Sequence, residues 1–258
     1  MKRVENAVVL KNDRISENIF AITLRLPEVA GQCLPGQFVM LYLDRGEMLL
    51  PRPISICDAD RDAGSITLVY QVVGGGTKHL SSFSPGAALR ALGPLGNGFT
   101  IKEGLKAAVL VGGAAGVAPL LLLLRELAQR GVKASAVLGF RDSAILTRAF
   151  ESHGAHVYIS TDSGKEGFRG NAIDLLREKN LAPDEFFACG PEVMLHHLAR
   201  YAEEKGIPCQ VCLEERMACG IGACLGCVTK SAAEEQPQYK KICCEGPVFY
   251  SDAVVLDG

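Results

Sequence analysis

The 258-residue sequence has no tryptophan, and aromatic residues make up only 6% of it. Its charges nearly cancel, leaving a net charge of −2, so no strong field points to nucleic acid or another polyanion. The N-terminal stretch MKRVENAVVL holds no apolar h-region and no small-residue cleavage site. It predicts a protein that is not exported and works in the cytoplasm. There is no G-x-S-x-G nucleophile motif. No predicted strand leads into G-x-G-x-x-G, so the usual dinucleotide fingerprint is missing. The five histidines pair with no nucleophile and read as structural or solvated.

One long uncharged run exists, AAVLVGGAAGVAPLLLLL at 107–124. Its length approaches that of a membrane span. Gly112, Gly113, Gly116 and Pro119 interrupt it, however. A strand, a glycine turn and a helix opening at a proline account for it without membrane insertion.

The first hundred residues lack any long helical period. Instead 4–10, 19–26, 37–43, 53–57, 65–73 and 87–92 read as short strands, rich in Val, Ile, Leu, Phe and Tyr and separated by Gly, Pro, Asp and Asn. Six such strands suggest a small antiparallel barrel. Two segments stand out in it. RPIS runs from Arg52 to Ser55, and GGGT from Gly74 to Thr77 leads into a short helical stretch. Glycines before a threonine at a helix start can present N–H groups to a phosphate, and an arginine can supply the opposing charge. Taken alone, GGGT reads equally well as a flexible turn and Arg52 as a surface arginine.

From about residue 106 the pattern alternates. Strands are predicted at 107–111, 134–139, 155–160 and 185–189, and helices at 118–130, 144–152, 171–179 and 191–205. This is the pattern of a parallel α/β sheet, whose ligands bind at the C-terminal strand ends. Two such ends carry turn chemistry: GGAAGVAP at 112–119 and Cys189-Gly190-Pro191. The first is a phosphate-site signal or only a tight turn.

Cysteine is what the chain has in excess. Seven of its ten cysteines follow residue 208. Residues 212–227 read CLEERMACGIGACLGC, and Cys219-x4-Cys224-x2-Cys227 with a distant Cys243 or Cys244 is the plant-type spacing for a [2Fe–2S] cluster. Gly220, Gly222 and Gly226 suit a loop that wraps a cluster with its backbone. Two other readings stand beside it. One is a zinc site built from Cys209-x2-Cys212 and Cys224-x2-Cys227; the other is a disulfide framework, which a reducing compartment disfavours. The polar segment 231–241 predicts an exposed loop or hairpin. Cys243 and Cys244, if extended, would point to opposite sides.

These motifs resemble the ferredoxin–NADP reductase superfamily. RPIS followed by GGGT is similar to its FAD-binding barrel, GGxxGxAP with CGP to its NAD(P) domain, and 161–176 to its T-D-x-G…D-L-L segment. The resemblance implies that Arg52 meets the FAD pyrophosphate and that Pro53, Ile54 and Ser55 lie along the flavin. It further implies that Val69, Tyr70 and Gln71 run beside the flavin and that Gly76 and Thr77 cap a helix at the phosphates. It places Gly113, Gly116, Gly190 and Pro191 at the nicotinamide nucleotide, and Cys189 near the nicotinamide as a catalytic-site residue. Arg141 and Asp142 argue in opposite directions about a 2′-phosphate, so NAD is preferred on the resemblance alone. RMACGIGAC with C-x-x-GPVF resembles the electron-transfer subunits of type 1B dihydroorotate dehydrogenases. That frame makes Cys243 the fourth ligand, with Cys219 and Cys224 on one iron and Cys227 and Cys243 on the other.

The expected architecture is multidomain. An antiparallel β-barrel for FAD spans 1–102, an α/β parallel-sheet nucleotide domain 103–208, and a small C-terminal [2Fe–2S] module 209–258. Nicotinamide moves two electrons as hydride and a cluster moves one at a time, so a flavin between them is chemically required. No second flavin site and no barrel of eight β/α units is visible, so electrons must enter or leave through another protein. The resemblance makes that partner an FMN-containing dihydroorotate dehydrogenase subunit in pyrimidine synthesis, in a heterotetramer with two of each. Rival readings are a ferredoxin–NADP⁺ oxidoreductase or hydrogenase diaphorase subunit of the same architecture, and a zinc-stabilised interaction module without enzymatic activity.

Overall fold

The computed structural model describes residues 3–43, 49–232 and 238–257. Six antiparallel strands, β1 (Arg3–Arg14), β2 (Ile19–Arg25), β3 (Phe38–Tyr42), β4 (Arg52–Asp60), β5 (Ser65–Gln71) and β6 (Ala88–Leu95), close into a barrel in the order β1-β2-β5-β4-β3-β6. Alternation sets its interior. Ile22 and Leu24 on β2, and Ile66, Leu68 and Tyr70 on β5, all point into one core. Strand β3 is buried on both faces. Val39 and Leu41 face the barrel core, while Phe38 and Met40 face a core shared with the rest of the chain. Two short helices, α1 (Pro27–Gln32) and α2 (Gly75–Leu80), close the barrel's connections.

The second unit is a seven-stranded sheet. Strands β7 (Ala107–Gly113), β8 (Lys133–Phe140), β9 (His156–Thr161), β10 (Phe168–Arg169), β11 (Glu185–Cys189), β12 (Cys209–Cys212) and a last strand, Val248–Tyr250, line up as β10-β9-β8-β7-β11-β12-last. Helices α3 (Ala118–Gln129), α4 (Thr147–Ser152), α5 (Ala172–Lys179) and α6 (Glu192–Lys205) cover its faces. Strand β7 shows why. Ala108 and Leu110 face the core of α3 and α4, and Val109 and Val111 face that of α5 and α6. From β7 the chain winds outward through β8 and β9, then returns to β11 on the other side. The crevice between β7 and β11 is therefore the switch point where such sheets bind ligands.

The uncharged run at 107–124 resolves into β7, a short 3-10 turn and α3, with Pro119 in the first turn of α3. Helix α3 is apolar nearly all round because it is clamped on both sides. Leu122 packs into the barrel core and Leu120, Leu123 and Leu124 into the sheet core. Its Arg125 reaches across to Asp58 (2.6 Å) and the Ala59 carbonyl (2.6 Å) on β4. No helix among the described residues is long and apolar enough to cross a membrane.

The sheet does not stop at residue 208. Strand β12 pairs in parallel with β11, Cys209 opposite Phe186 and Cys212 opposite Cys189. The last strand pairs antiparallel with β12. Everything between them, 213–247, is one long excursion from a single sheet. It holds β13 (Val228–Lys230) paired with β14 (Tyr239–Lys241), then one helical turn, α7 (Ile242–Glu245), before the last strand, β15 (Val248–Tyr250). The tip of the expected hairpin, 233–237, lies outside the described residues. The turn α7 puts Cys243 and Cys244 in helical rather than extended backbone. Asn97 anchors the excursion to the barrel, its side chain donating to the Glu245 carbonyl at 2.9 Å.

Candidate functional site

The barrel and sheet enclose a cavity of about 760 Å³. Arg52, Pro53, Ile54 and Ser55 line it from β4, and Val69, Tyr70 and Gln71 from β5. These strands are adjacent in the barrel, which is why segments far apart in sequence share one wall. Alternation divides the β5 trio. Val69 belongs to the core at the domain junction, whereas the Tyr70 ring turns into the barrel and donates its hydroxyl to Asn12 Oδ1 at 3.1 Å. Burial pushes the Tyr70 phenol up to about 12.

Arg52 is held in place rather than free. Its Nη1 donates to the carbonyls of Leu50 and Pro51, and its guanidinium lies over Gly76, where any Cβ would collide with Nε and Nη2. Thr77 is buried, and its Oγ1 accepts from the N–H groups of Val73 (3.0 Å) and Gly74 (3.3 Å). The triple glycine thus has a concrete reason at Gly76: it makes room for the arginine.

A second cavity of about 590 Å³ adjoins the first, and both are lined by Gln71, Ala115, Leu213, Glu214 and Glu215. Gly113, Gly116, Gly190 and Pro191 form part of its wall. Here the two turns press together. A Cβ on Gly116 would lie 2.6 Å from Gly190 Cα and 2.7 Å from the Cys189 carbonyl oxygen. One on Gly113 would lie 2.7 Å from Pro191 Cδ.

Cys189 is fully buried and lines neither cavity. Its side chain packs beside Cys212 and its thiol approaches Glu214 Oε1 at 3.9 Å. The Cys212 contact, then burial, hold this thiol well above its ordinary value. Glu214, which the motif reading passed over, is the group between Cys189 and open space. It is exposed toward both cavities, and desolvation by the surrounding protein still raises its carboxyl. With Leu213, Glu215, Arg216 and Met217 it makes the stretch LEERM a cavity wall. The only hint of this in the sequence was its place just before the cysteine cluster.

Two residues beyond Met217 the cluster loop begins. Cys219 Sγ lies 3.3 Å from Cys224 Sγ and accepts the Cys224 N–H at 3.4 Å. Burial raises the Cys219 thiol, but the N–H groups of Cys224, Ile221 and Ala223 together with the Cys224 thiol outweigh it and bring it down to about 6. Positive φ at Gly220 (68°) and Gly222 (82°) turns those N–H groups inward. Cys227 and Cys243 form a second contacting pair, and the Gly222 N–H reaches Cys243 Sγ at 3.2 Å. Burial, then the Cys227 thiol, push Cys243 up to about 12. Two thiol pairs under backbone donors fit a two-iron cluster. Among the described residues no three His, Cys, Asp or Glu side chains converge as ligands of a single metal ion. Cys209 and Cys212, which the zinc reading required together, instead lie at the two ends of strand β12 and face opposite sides of the sheet.

Comparison with known proteins agrees with this layout. The family model described as the oxidoreductase FAD-binding domain matches residues 6–99. The iron–sulfur cluster binding domain of dihydroorotate dehydrogenase B matches 214–255. The dihydroorotate dehydrogenase B (NAD(+)) electron transfer subunit of Geobacillus sp. (strain WCH70) is 39% identical over 261 residues, covering 99% of this chain and 100% of the relative. The protein of the same name from Listeria innocua serovar 6a is 38% identical over 257 residues, covering 96% of this chain and 97% of the relative. This chain belongs to the family of dihydroorotate dehydrogenase B (NAD(+)) electron transfer subunits. Within that family frame, the iron–sulfur match begins with the excursion after β12 and runs on through β15 to residue 255. Among solved structures, the NADH-dependent reduced ferredoxin-NADP oxidoreductase superposes with a TM-score of 0.88 at 28% identity, over 97% of this chain and 90% of that one.

Proposed function

We propose that the chain carries electrons from the FMN of a dihydroorotate dehydrogenase catalytic subunit to NAD⁺, in pyrimidine synthesis, as half of a cytoplasmic heterotetramer with two copies of each subunit. The observation that carries this reading is the order of sites along one wall. The nucleotide cavity adjoins the flavin cavity, and the LEERM wall of the flavin cavity runs directly into Cys219. Bound FAD would supply the exchange between hydride and single electrons that this order needs.

The residues have the following parts in this reading. Arg52, fixed by two carbonyls and Gly76, opposes the pyrophosphate charge. Thr77 braces the turn at 73–74 from below. Pro53, Ile54, Ser55, Val69 and Gln71 flank the flavin ring, and the barrel-facing Tyr70 stiffens that wall through Asn12. Gly113, Gly116, Gly190 and Pro191 give the nicotinamide nucleotide its close backbone approach. Cys189 acts from behind Glu214 as a positioning residue. Cys219 with Cys224, and Cys227 with Cys243, hold one iron each.

The test is an anaerobic absorption spectrum of the purified complex, with iron and zinc measured on the same sample. Flavin bands over broad iron–sulfur absorbance, bleached by NADH and by dihydroorotate, are expected. A colourless, zinc-loaded protein inert to NADH would overturn the reading. The structural likeness to the ferredoxin-NADP oxidoreductase favours one second reading, a subunit of the same architecture with another electron donor. Bleaching by NADH but not by dihydroorotate in the presence of the copurifying partner would select it.

A further inference from the structure

The four-cysteine ligand set leaves Cys244 without a part, although its thiol lies at the same loop. Three observations bear on it. The backbone at 242–245 is one helical turn, so neighbouring side chains diverge by about 100° rather than the about 180° of a strand. Cys243 and Cys244 therefore do not point to opposite sides. Second, both sulfurs meet the same glycine. Cys243 Sγ accepts the Gly222 N–H at 3.2 Å, and a Cβ on Gly222 would lie 2.9 Å from Cys244 Sγ. Third, Cys244 is half-buried, and its recorded hydrogen bond is a long one to the Lys241 carbonyl at 3.9 Å. That contact is weak enough to be given up. Lys241 itself is tied to the loop, its Nζ donating to the Gly222 carbonyl at 2.8 Å.

We propose that Cys244 is a reserve ligand, which takes the fourth position on the iron–sulfur cluster when Cys243 is lost. The inference rests on the reading that Cys219, Cys224, Cys227 and Cys243 hold the cluster. The ligation is balanced: where Cys243 is absent, the Cys244 thiol would lose its proton to solvent as its thiolate bonds the iron that Cys243 would have held. Oxidation state does not change. Both thiols already flank Gly222 in the cluster loop.

The test uses the chain copurified anaerobically with its catalytic subunit. Iron and acid-labile sulfide are measured per FAD, and the dithionite-reduced sample is examined by EPR. Cys244→Ala is expected to keep the wild-type spectrum. Cys243→Ala is expected to keep iron near the wild-type ratio, with shifted g-values. Cys243→Ala/Cys244→Ala is expected to lose the cluster, beyond the about 10- to 100-fold effect on affinity typical of an outer-shell change. If Cys243→Ala loses iron as completely as the double variant while retaining FAD, the reserve-ligand inference is overturned and the four-cysteine reading stands. If the double variant keeps its cluster unaltered, the assignment of Cys243 itself fails, and the inference with it. Should Cys243→Ala not fold, the near-isosteric Cys243→Ser is compared with Cys243→Ser/Cys244→Ala. Different EPR signals support Cys244 as the ligand; identical signals overturn it.

Discussion

The flavin cavity and the cluster loop solve the problem of holding a cofactor in opposite ways. The cavity is walled by β4 and β5, whose positions are fixed by barrel closure and by a core that includes Ile56, Ile66 and Leu68. The cluster loop at 213–227 has no strand or helix among its residues until β13. It is held by thiol–thiol contacts, inward N–H groups and a few packing points, such as Gly220 against Met40 on β3. A site built from strands is formed before its ligand arrives. A site built from a loop depends on the ligand for part of its order.

The largest effect expected from this contrast is at the loop. Cys224→Ala should strip the iron, a loss beyond the roughly 10- to 100-fold affinity change of an outer-shell substitution, while FAD stays bound and is still reduced by NADH. Iron-to-flavin ratio and NADH bleaching measure both halves. Loss of FAD along with iron would break the comparison, by showing that the cavity also needs the loop.

Within the cavity, Gly76→Ala drives a methyl into the Arg52 guanidinium. The atoms it meets are the far end of a flexible side chain, so the fold is little disturbed, but the guanidinium is pushed off its place and FAD affinity should fall on the order of 10-fold, the lower end of losing that contact. Arg52→Ala removes a charge-assisted contact worth about 1.5–3 kcal/mol, again on the order of 10- to 100-fold. Flavin titration of the stripped protein measures both, and iron content should not change. At the nucleotide turn, Gly116→Ala sets a methyl against the backbone of Cys189 and Gly190. It should raise the KM for NADH and destabilise the sheet by about 1–3 kcal/mol. A normal KM would show that the paired turns do not shape the nucleotide cavity.

The smallest effect concerns pH. Asp184 Oδ2 accepts the N–H groups of Ala107 and Lys106, each at 2.8 Å, and these hold its carboxyl below the ordinary value. A carboxylate depressed by folding contributes stability above its unfolded pKa of about 3.9, and that contribution is lost as pH falls through the lower folded value. Asp184→Asn should flatten the acid limb of the unfolding profile below about pH 4 and leave stability near neutral pH almost pH-independent, as before.

How much of this could be read from the sequence varied with the length of the signal. The six barrel strands and the βα alternation came from repeated apolar runs, and the cluster from cysteine spacing. Strands β12 and β15 were not legible. They are four and three residues long, and the cysteines of β12 looked like one half of a zinc pair rather than the ends of a sheet strand. The surroundings of Cys189 and Glu214 were not legible for a related reason. A motif names a residue but not the side to which its strand directs it, and Cys189 turns inward toward Cys212 while Glu214 faces the cavities. The turn α7 was hidden because four residues carry no period.

Because the excursion at 213–247 leaves from β12 and returns at β15, its two ends sit on neighbouring strands. The chain can therefore treat it as a graft. Lengthening a segment whose ends are already pinned together costs only about 0.6 kcal/mol per doubling. The graft is not independent of its host, however: Met217, Cys227, Ile242 and Cys243 pack into the core shared by the sheet and strand β3. A redox insert rebuilt for a new electron donor would still have to keep the walls it lends to the cavities, 213–217 and Pro247 beside the flavin cavity and 228–230, Tyr239 and Ile242 beside the nucleotide cavity.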